Sequence, residues 1–199
     1  MDVSHIVIAV EDSLSEAVVK RLLREYGNQA ISCRVMGNQG VGWLKARTQQ
    51  FLNASKSIPH IVLIDLDTGN CAPGLLQEWF GRKKSPYLLV RVAAREVEAW
   101  LLADRSGFAR FAGTTAKKLP LDADSIADPK QYLINVFRSG KKQRIASEIV
   151  PEIGSTAKVG FGYNRHLCRF VEEEWSVDNA IEHSASLRRT VIRLREFLS

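Results

Sequence analysis

Three cysteines in 199 residues, Cys33, Cys71 and Cys168, are too few and too widely spaced for a disulfide framework or a CxxC zinc site. They read as reduced packing residues. The four histidines, His5, His60, His166 and His183, share no metal-ligand spacing, and no Gly-x-Ser-x-Gly or Cys-His pairing points to acyl chemistry. No apolar run approaches the roughly 18 residues that suggest a membrane span. The N-terminus opens with Asp2 and a short strand-like run in place of a basic, cleavable leader, so a cytoplasmic protein with no membrane association is expected. Repeats and low-complexity linkers are absent as well, which excludes solenoids and disordered spacers.

What is present is enough apolar material for one sizeable core. Hydrophobic residues make up 45% of the chain and charged residues 25%, and a globular unit follows. The net charge of +6 and pI near 9.4 suit a polyanionic partner without demanding one. Residues 6–10, Ile-Val-Ile-Ala-Val, form a short apolar run of the kind buried on both faces of a parallel sheet. Ser13 with Glu16 forms a capping-box pattern, apolar residues then recur at helical spacing to Tyr26, and Gly27 stands where a helix should stop. Strands are predicted again over 31–35, 59–64 and 87–92, with helices over 43–52 and 75–80 between them. Such alternation implies an α/β fold with a mostly parallel sheet flanked by helices. Beyond residue 121 the pattern is helical, over 130–137, 141–150, 164–175 and 184–198, with Pro129 and Pro151 as punctuation. A boundary between an α/β domain of residues 1–105 and a helical extension of residues 106–199 is expected, the two forming one compact unit.

In open parallel sheets, ligands gather outside the carboxyl ends of the strands. Glu11, Asp12, Asp65 and Asp67 all fall at such ends, and one cleft could collect them although the pairs are far apart in the chain. Two carboxylates about 4 Å apart repel by about 4 kcal/mol at an effective dielectric near 20. A divalent cation removes that cost, and Mg²⁺ suits a shell of one or two carboxylates with waters and substrate phosphates. The same residues also suit plainer roles. Aspartates followed by glycine and asparagine make ordinary turns, and Glu11-Asp12 makes an ordinary helix start. Glu96 and Glu98, in "REVEAWLLAD", could face the same cleft near a strand-to-helix junction or be solvated on an amphipathic helix whose Trp100, Leu101 and Leu102 face the core.

Taken together, Glu11 after the first strand, Gly37, Gly40 and Gly42 after the second, and Asp65-x-Asp67 after the third resemble the Toprim domain of topoisomerases, primases and overcoming-lysogenization-defect-type nucleases. The "REVEAWLLAD" segment is similar to small stand-alone bacterial Toprim-like proteins, whose genes often neighbour an ATPase of ABC or chromosome-maintenance type. The resemblance covers residues 5 to 105 well and the remainder loosely. It implies a Toprim-like, Rossmann-like sheet and Mg²⁺- or Mn²⁺-dependent phosphodiester chemistry on DNA or RNA. Glu11 would be the acid/base or metal-associated glutamate, Asp65 and Asp67 the metal ligands, and Glu96 and Glu98 supplementary acids. An ATPase partner and an anti-phage or DNA-maintenance setting follow from the same resemblance, and a homodimer is compatible with it. Toprim sequences commonly carry glycine directly after the glutamate, where this chain has Asp12.

Two readings of function remain open: a metal-dependent nuclease, and a non-catalytic adaptor that binds an ATPase or nucleic acid. Lys45 and Arg47, beside the glycine segment, could contact phosphate, as could Lys83 and Lys84 in the Arg82-Lys83-Lys84 run. Further basic clusters lie at Lys117-Lys118, Lys141-Lys142-Arg144 and Arg188-Arg189. Such runs are usually solvated surface. The loop "AKVGFGYNRHL" carries two aromatics that would pack or stack on a base, and packing is expected.

Overall fold

The computed structural model describes residues 5–27, 31–67, 71–81, 83 and 85–199. The chain divides into two compact units, Met1–Ala94 with Arg188–Ser199, and Arg95–Leu187.

The first unit carries the sheet. Its elements are β1 (His5–Val10), α1 (Ser13–Tyr26), β2 (Ser32–Gly37), α2 (Val41–Ala46), α3 (Thr48–Ala54), β3 (His60–Asp65), α4 (Ala72–Phe80) and β4 (Leu88–Ala93). The strands lie in the order β2-β1-β3-β4, and every pairing is parallel. The α/β class expected from the alternation of strands and helices is therefore what this unit forms. On one sheet face Ala9, Val62 and Ile64 pack with Leu44, Phe51, Leu52 and Phe80 from α2, α3 and α4. Alternate residues, including Ile8, Val10 and Leu63, are buried toward the other face. The C-terminal helix returns to this unit: Arg91 Nε donates to Thr190 Oγ1 at 3.3 Å, and the Arg195 guanidinium lies 4.4 Å from the Tyr26 ring centroid.

The helix expected over 43–52 is broken at Arg47, where the backbone takes φ −109° and ψ 8°. No glycine or proline marks the break. Arg47 instead folds back over Trp43, 4.2 Å from the ring centroid, and donates to the Trp43 carbonyl at 3.4 Å. The cap of α1 also lies one residue earlier than the capping box suggests. Asp12 accepts from Ser15 N–H at 2.8 Å, while Glu16 is taken up by Lys20 and Asn38.

The second unit contains α5 (Val97–Ala103), α6 (Arg105–Ala112), short 3₁₀ turns at Ala116–Lys118 and Ala123–Ser125, α7 (Pro129–Arg138), α8 (Gln143–Ile149), α9 (Tyr163–Glu173), α10 (Val177–Ile181) and the start of α11 (Ala185–Leu198). Its core is aromatic. Phe108, Phe111, Phe137 and Phe170 meet with ring centroids 4.7 to 5.9 Å apart, and each is buried. The fully buried Asp104 is satisfied by Gly107 N–H at 3.0 Å and Ser176 N–H at 2.9 Å, so it caps α6 and pins the start of α10. The division after residue 105 drawn from the sequence differs from this one. Segment 95–105 groups with the helical unit because every residue of α5 is buried, packed chiefly on α7 and α10. No described helix is long and apolar enough to cross a membrane.

Candidate functional site

From β1 the chain runs outward to β2, then passes back to β3 on the other side of β1. The winding reverses between β1 and β3, and the crevice outside the carboxyl ends at such a reversal is where open parallel sheets take ligands. Glu11 is the first residue after β1 and Asp65 the last of β3. The structure joins them: Glu11 Oε1 accepts from the backbone N–H of Asp65 at 2.9 Å. Both are half-buried, and Asp67 is exposed.

The turn after β2 is laid against the same place. Asn38 N–H donates to the Val10 carbonyl at 3.1 Å, and Gly40 N–H donates to the Glu11 carbonyl at 3.0 Å. Gly37 makes this approach possible. Its φ is +119°, and a Cβ there would collide with the Val10 carbonyl oxygen. Among the described residues, left-handed backbone also occurs at three non-glycine positions, Asn38 (φ 59°), Asp67 (φ 49°) and Arg95 (φ 64°). Each falls within two residues of the end of a strand, β2, β3 or β4. Asparagine and aspartate tolerate this region, but a side chain such as arginine carries a cost of about 1–3 kcal/mol, and such residues cluster at functional sites. Because Asp67 lies beyond the strand with φ positive, the period-2 alternation that would align it with Asp65 stops before reaching it.

Asp12 serves the α1 cap, which leaves Glu11, Asp65 and Asp67 as the acids to weigh for a cation. Among the described residues, no three His, Cys, Asp or Glu side chains converge closely enough to cage a metal ion. The donors at β1 and β3 fit a sparser shell. Mg²⁺ and Mn²⁺ take hard oxygen ligands, and Mg²⁺ commonly binds through one or two carboxylates while keeping several waters. A carboxylate offers about four lone-pair positions, and the Asp65 N–H uses one of those on Glu11.

Glu96 and Glu98 converge on a cation of the protein itself. Glu96 accepts from Lys130 N–H at 2.9 Å and from Lys130 Nζ at 3.2 Å. Glu98 lies 3.5 Å from the same Nζ and accepts from Tyr163 Oη at 2.8 Å. It is not solvated on a helix face: its exposure is 1%. Burial pushes its carboxyl up to about 7, against the pull of Lys130 and the Tyr163 bond, and Glu96 adds to the upward push.

The described basic residues among those expected at phosphate are individually engaged. Lys45 Nζ pairs with Glu78 at 2.6 Å on the exposed surface, Lys83 Nζ donates to Gln49 at 2.6 Å, and Arg47 is stacked on Trp43. Lys84 and Arg82 lie outside the described residues, as does the 68–70 portion of the turn after Asp67. The sequence reading passed over a cleft of about 620 Å³ in the helical unit, lined by Arg144, Ile145, Glu148, Arg165, His166 and Arg169. Its signal was present in the Arg165/Arg169 pair at helical spacing, but the distant Arg144 and Glu148 gave no reason to join it.

No protein-family model matches the chain, and no curated protein matches it. Among solved structures, it is similar to the C-terminal region of the Burkholderia pseudomallei OLD protein, with 14% identity, 98% of each chain covered and a TM-score of 0.47.

Proposed function

We propose that this chain is a Toprim-type, metal-dependent nuclease that acts on phosphodiester bonds of DNA or RNA in the cytoplasm, as the effector of an ATPase of ABC or chromosome-maintenance type. The observation that carries the proposal is the hydrogen bond between Glu11 and the Asp65 backbone at the reversal of the sheet winding. Asp65 and Asp67 are the ligands in this reading. A Mg²⁺ or Mn²⁺ bound there would supply an activated water and stabilise charge on the attacking and leaving oxygens. Glu11, held beside β3 by the Asp65 N–H, would be the carboxylate that takes or returns the proton.

A second reading is favoured by one observation, the lack of a ready three-acid cage among the described residues. In it the chain is a non-catalytic adaptor that binds an ATPase or nucleic acid, with Glu11 retained for its bond to β3. The two are separated by incubating the purified protein with plasmid, single-stranded DNA and tRNA in Mg²⁺ or Mn²⁺. The nuclease reading expects metal-dependent cutting that falls by about 10²-fold or more in both Asp65→Asn and Glu11→Gln. Cutting equal in wild type and variants would sink it.

A further inference from the structure

The helical unit holds a second concentration of charge that the proposed acids do not use. In the cleft between α8 and α9, three guanidiniums and one imidazole line the wall with a single carboxylate, Glu148. Glu148 Oε2 takes both Arg165 and His166, the latter at 2.8 Å. The His166 hydrogen bond, with Arg165 beside it, holds this carboxyl below its usual range. Glu148 is thus an ionised group whose charge is already matched and which fixes the direction of Arg165. Among the described residues, Arg169 pairs with the exposed Glu173 at 4.0 Å. Arg144 is exposed and has no carboxylate partner among the described residues. Positive charge therefore exceeds negative inside a cleft whose volume suits a nucleotide-sized group.

Beside this cleft the chain presents an aromatic ring to solvent. Gly160 N–H donates to the Ile149 carbonyl and Gly162 N–H to the Glu148 carbonyl, both at 2.8 Å, which ties the loop to the end of α8 on either side of Phe161. Both glycines are needed for this approach. A Cβ on Gly160 would run into the Glu148 carbonyl oxygen, and one on Gly162 would crowd the Glu148 side chain at 2.8 Å. Tyr163 packs inward as the sequence suggested, but Phe161 remains 81% exposed on this anchored loop. A solvent-facing phenyl ring on an anchored loop, next to a cleft in which arginines outnumber carboxylates, is the combination by which single strands are held: phosphates on the cations and a base on the ring.

We infer that the α8–α9 cleft is a binding site for single-stranded nucleic acid, with Arg144, Arg165 and Arg169 on successive phosphates and Phe161 stacked on an unpaired base. A base inside a duplex already has both faces covered and cannot offer one to Phe161, so the site selects unpaired strands. The inference does not depend on metal chemistry at Glu11 and Asp65.

The test is fluorescence anisotropy of the full chain with labelled oligothymidine and oligouridine of about 20 nucleotides. EDTA is present throughout, so cleavage plays no part and the result stands whatever becomes of the nuclease reading. Binding at low salt is expected, and Arg144→Ala/Arg165→Ala should weaken it about tenfold or more and flatten the slope of log K against log salt by about 1.4, the value for two lost phosphate contacts on a single strand. Phe161→Ala should weaken binding about fivefold with the salt slope unchanged, as loss of one stacked base requires. Arg144→Ala alone, at an exposed residue without an ion pair, gives the same direction without a folding concern. Lys56→Ala/Arg138→Ala, at exposed sites elsewhere, is the charge-matched control. Absence of binding, equal losses in the control pair, or full competition by pyrophosphate with Phe161→Ala silent would each overturn the inference. A duplex bound as tightly as the single strand would overturn it too.

Discussion

Past the ends of β1 and β3, Glu11 meets the backbone N–H of Asp65; past the end of β4, Glu96 and Glu98 meet the ammonium of Lys130. Both arrangements hold carboxylates that follow parallel strands, yet they leave different electrostatic residues. A backbone N–H is a dipole. It fixes a carboxylate without itself cancelling the charge. A lysine cancels much of the charge and, where one acid is buried, becomes indispensable to it. Sequence position after a strand therefore does not by itself mark an acid as a ligand; what meets the carboxylate decides.

The sharpest way to break this comparison is to remove the cation. Lys130→Ala should cost about 2–3 kcal/mol in urea unfolding at pH 8, because it strands one buried and one half-buried acid. A loss near zero would mean that Lys130 is dispensable to the pair. The next largest effect concerns Glu98. Its folded carboxyl titrates at about 7 against an ordinary 4.5, so the folded chain binds this proton more tightly than the unfolded chain does. Its contribution to stability is fully present below about pH 4.5 and is lost as pH rises through about 7. Glu98→Gln should flatten that decline, gaining about 2 kcal/mol on wild type between pH 5 and pH 8. Parallel pH profiles for the two proteins would contradict the assignment. The smallest effect belongs to the strand-end acid: Glu11→Gln retains an Oε1 acceptor for Asp65 N–H and should change stability by less than about 1 kcal/mol. A large loss there would make Glu11 a structural residue first.

Much of this was legible in the sequence. The β-branched runs at 6–10 and 59–64 announced parallel strands, and the acids just past them, Glu11 and Asp65, are joined in the structure. Trp100, Leu101 and Leu102 were read correctly as core. Other features depended on contacts across distance. Nothing local told that Lys130 would return to Glu96 and Glu98, or that Arg144 would share a cleft with Arg165. Helix α6 was passed over because eight residues hold too few turns to establish a period, although Asp104 with Gly107 was a cap signal and Phe108, Phe111 and Ala112 made its buried face. The one-residue shift of the α1 cap has the same origin. Asp12 and Ser13 are both good caps, and the choice fell to Asp12 because Glu16 was drawn away to Lys20 and Asn38.

The proposed nuclease requires a divalent cation to be drawn to the acids at β1 and β3 and not to Glu96 and Glu98, which share Lys130. Isothermal titration of Mn²⁺ into wild type, Asp65→Asn and Glu98→Gln tests it without reference to cleavage. Binding to wild type is expected, lost in Asp65→Asn and retained in Glu98→Gln. No binding to wild type, or loss in Glu98→Gln with Asp65→Asn unaffected, would contradict it.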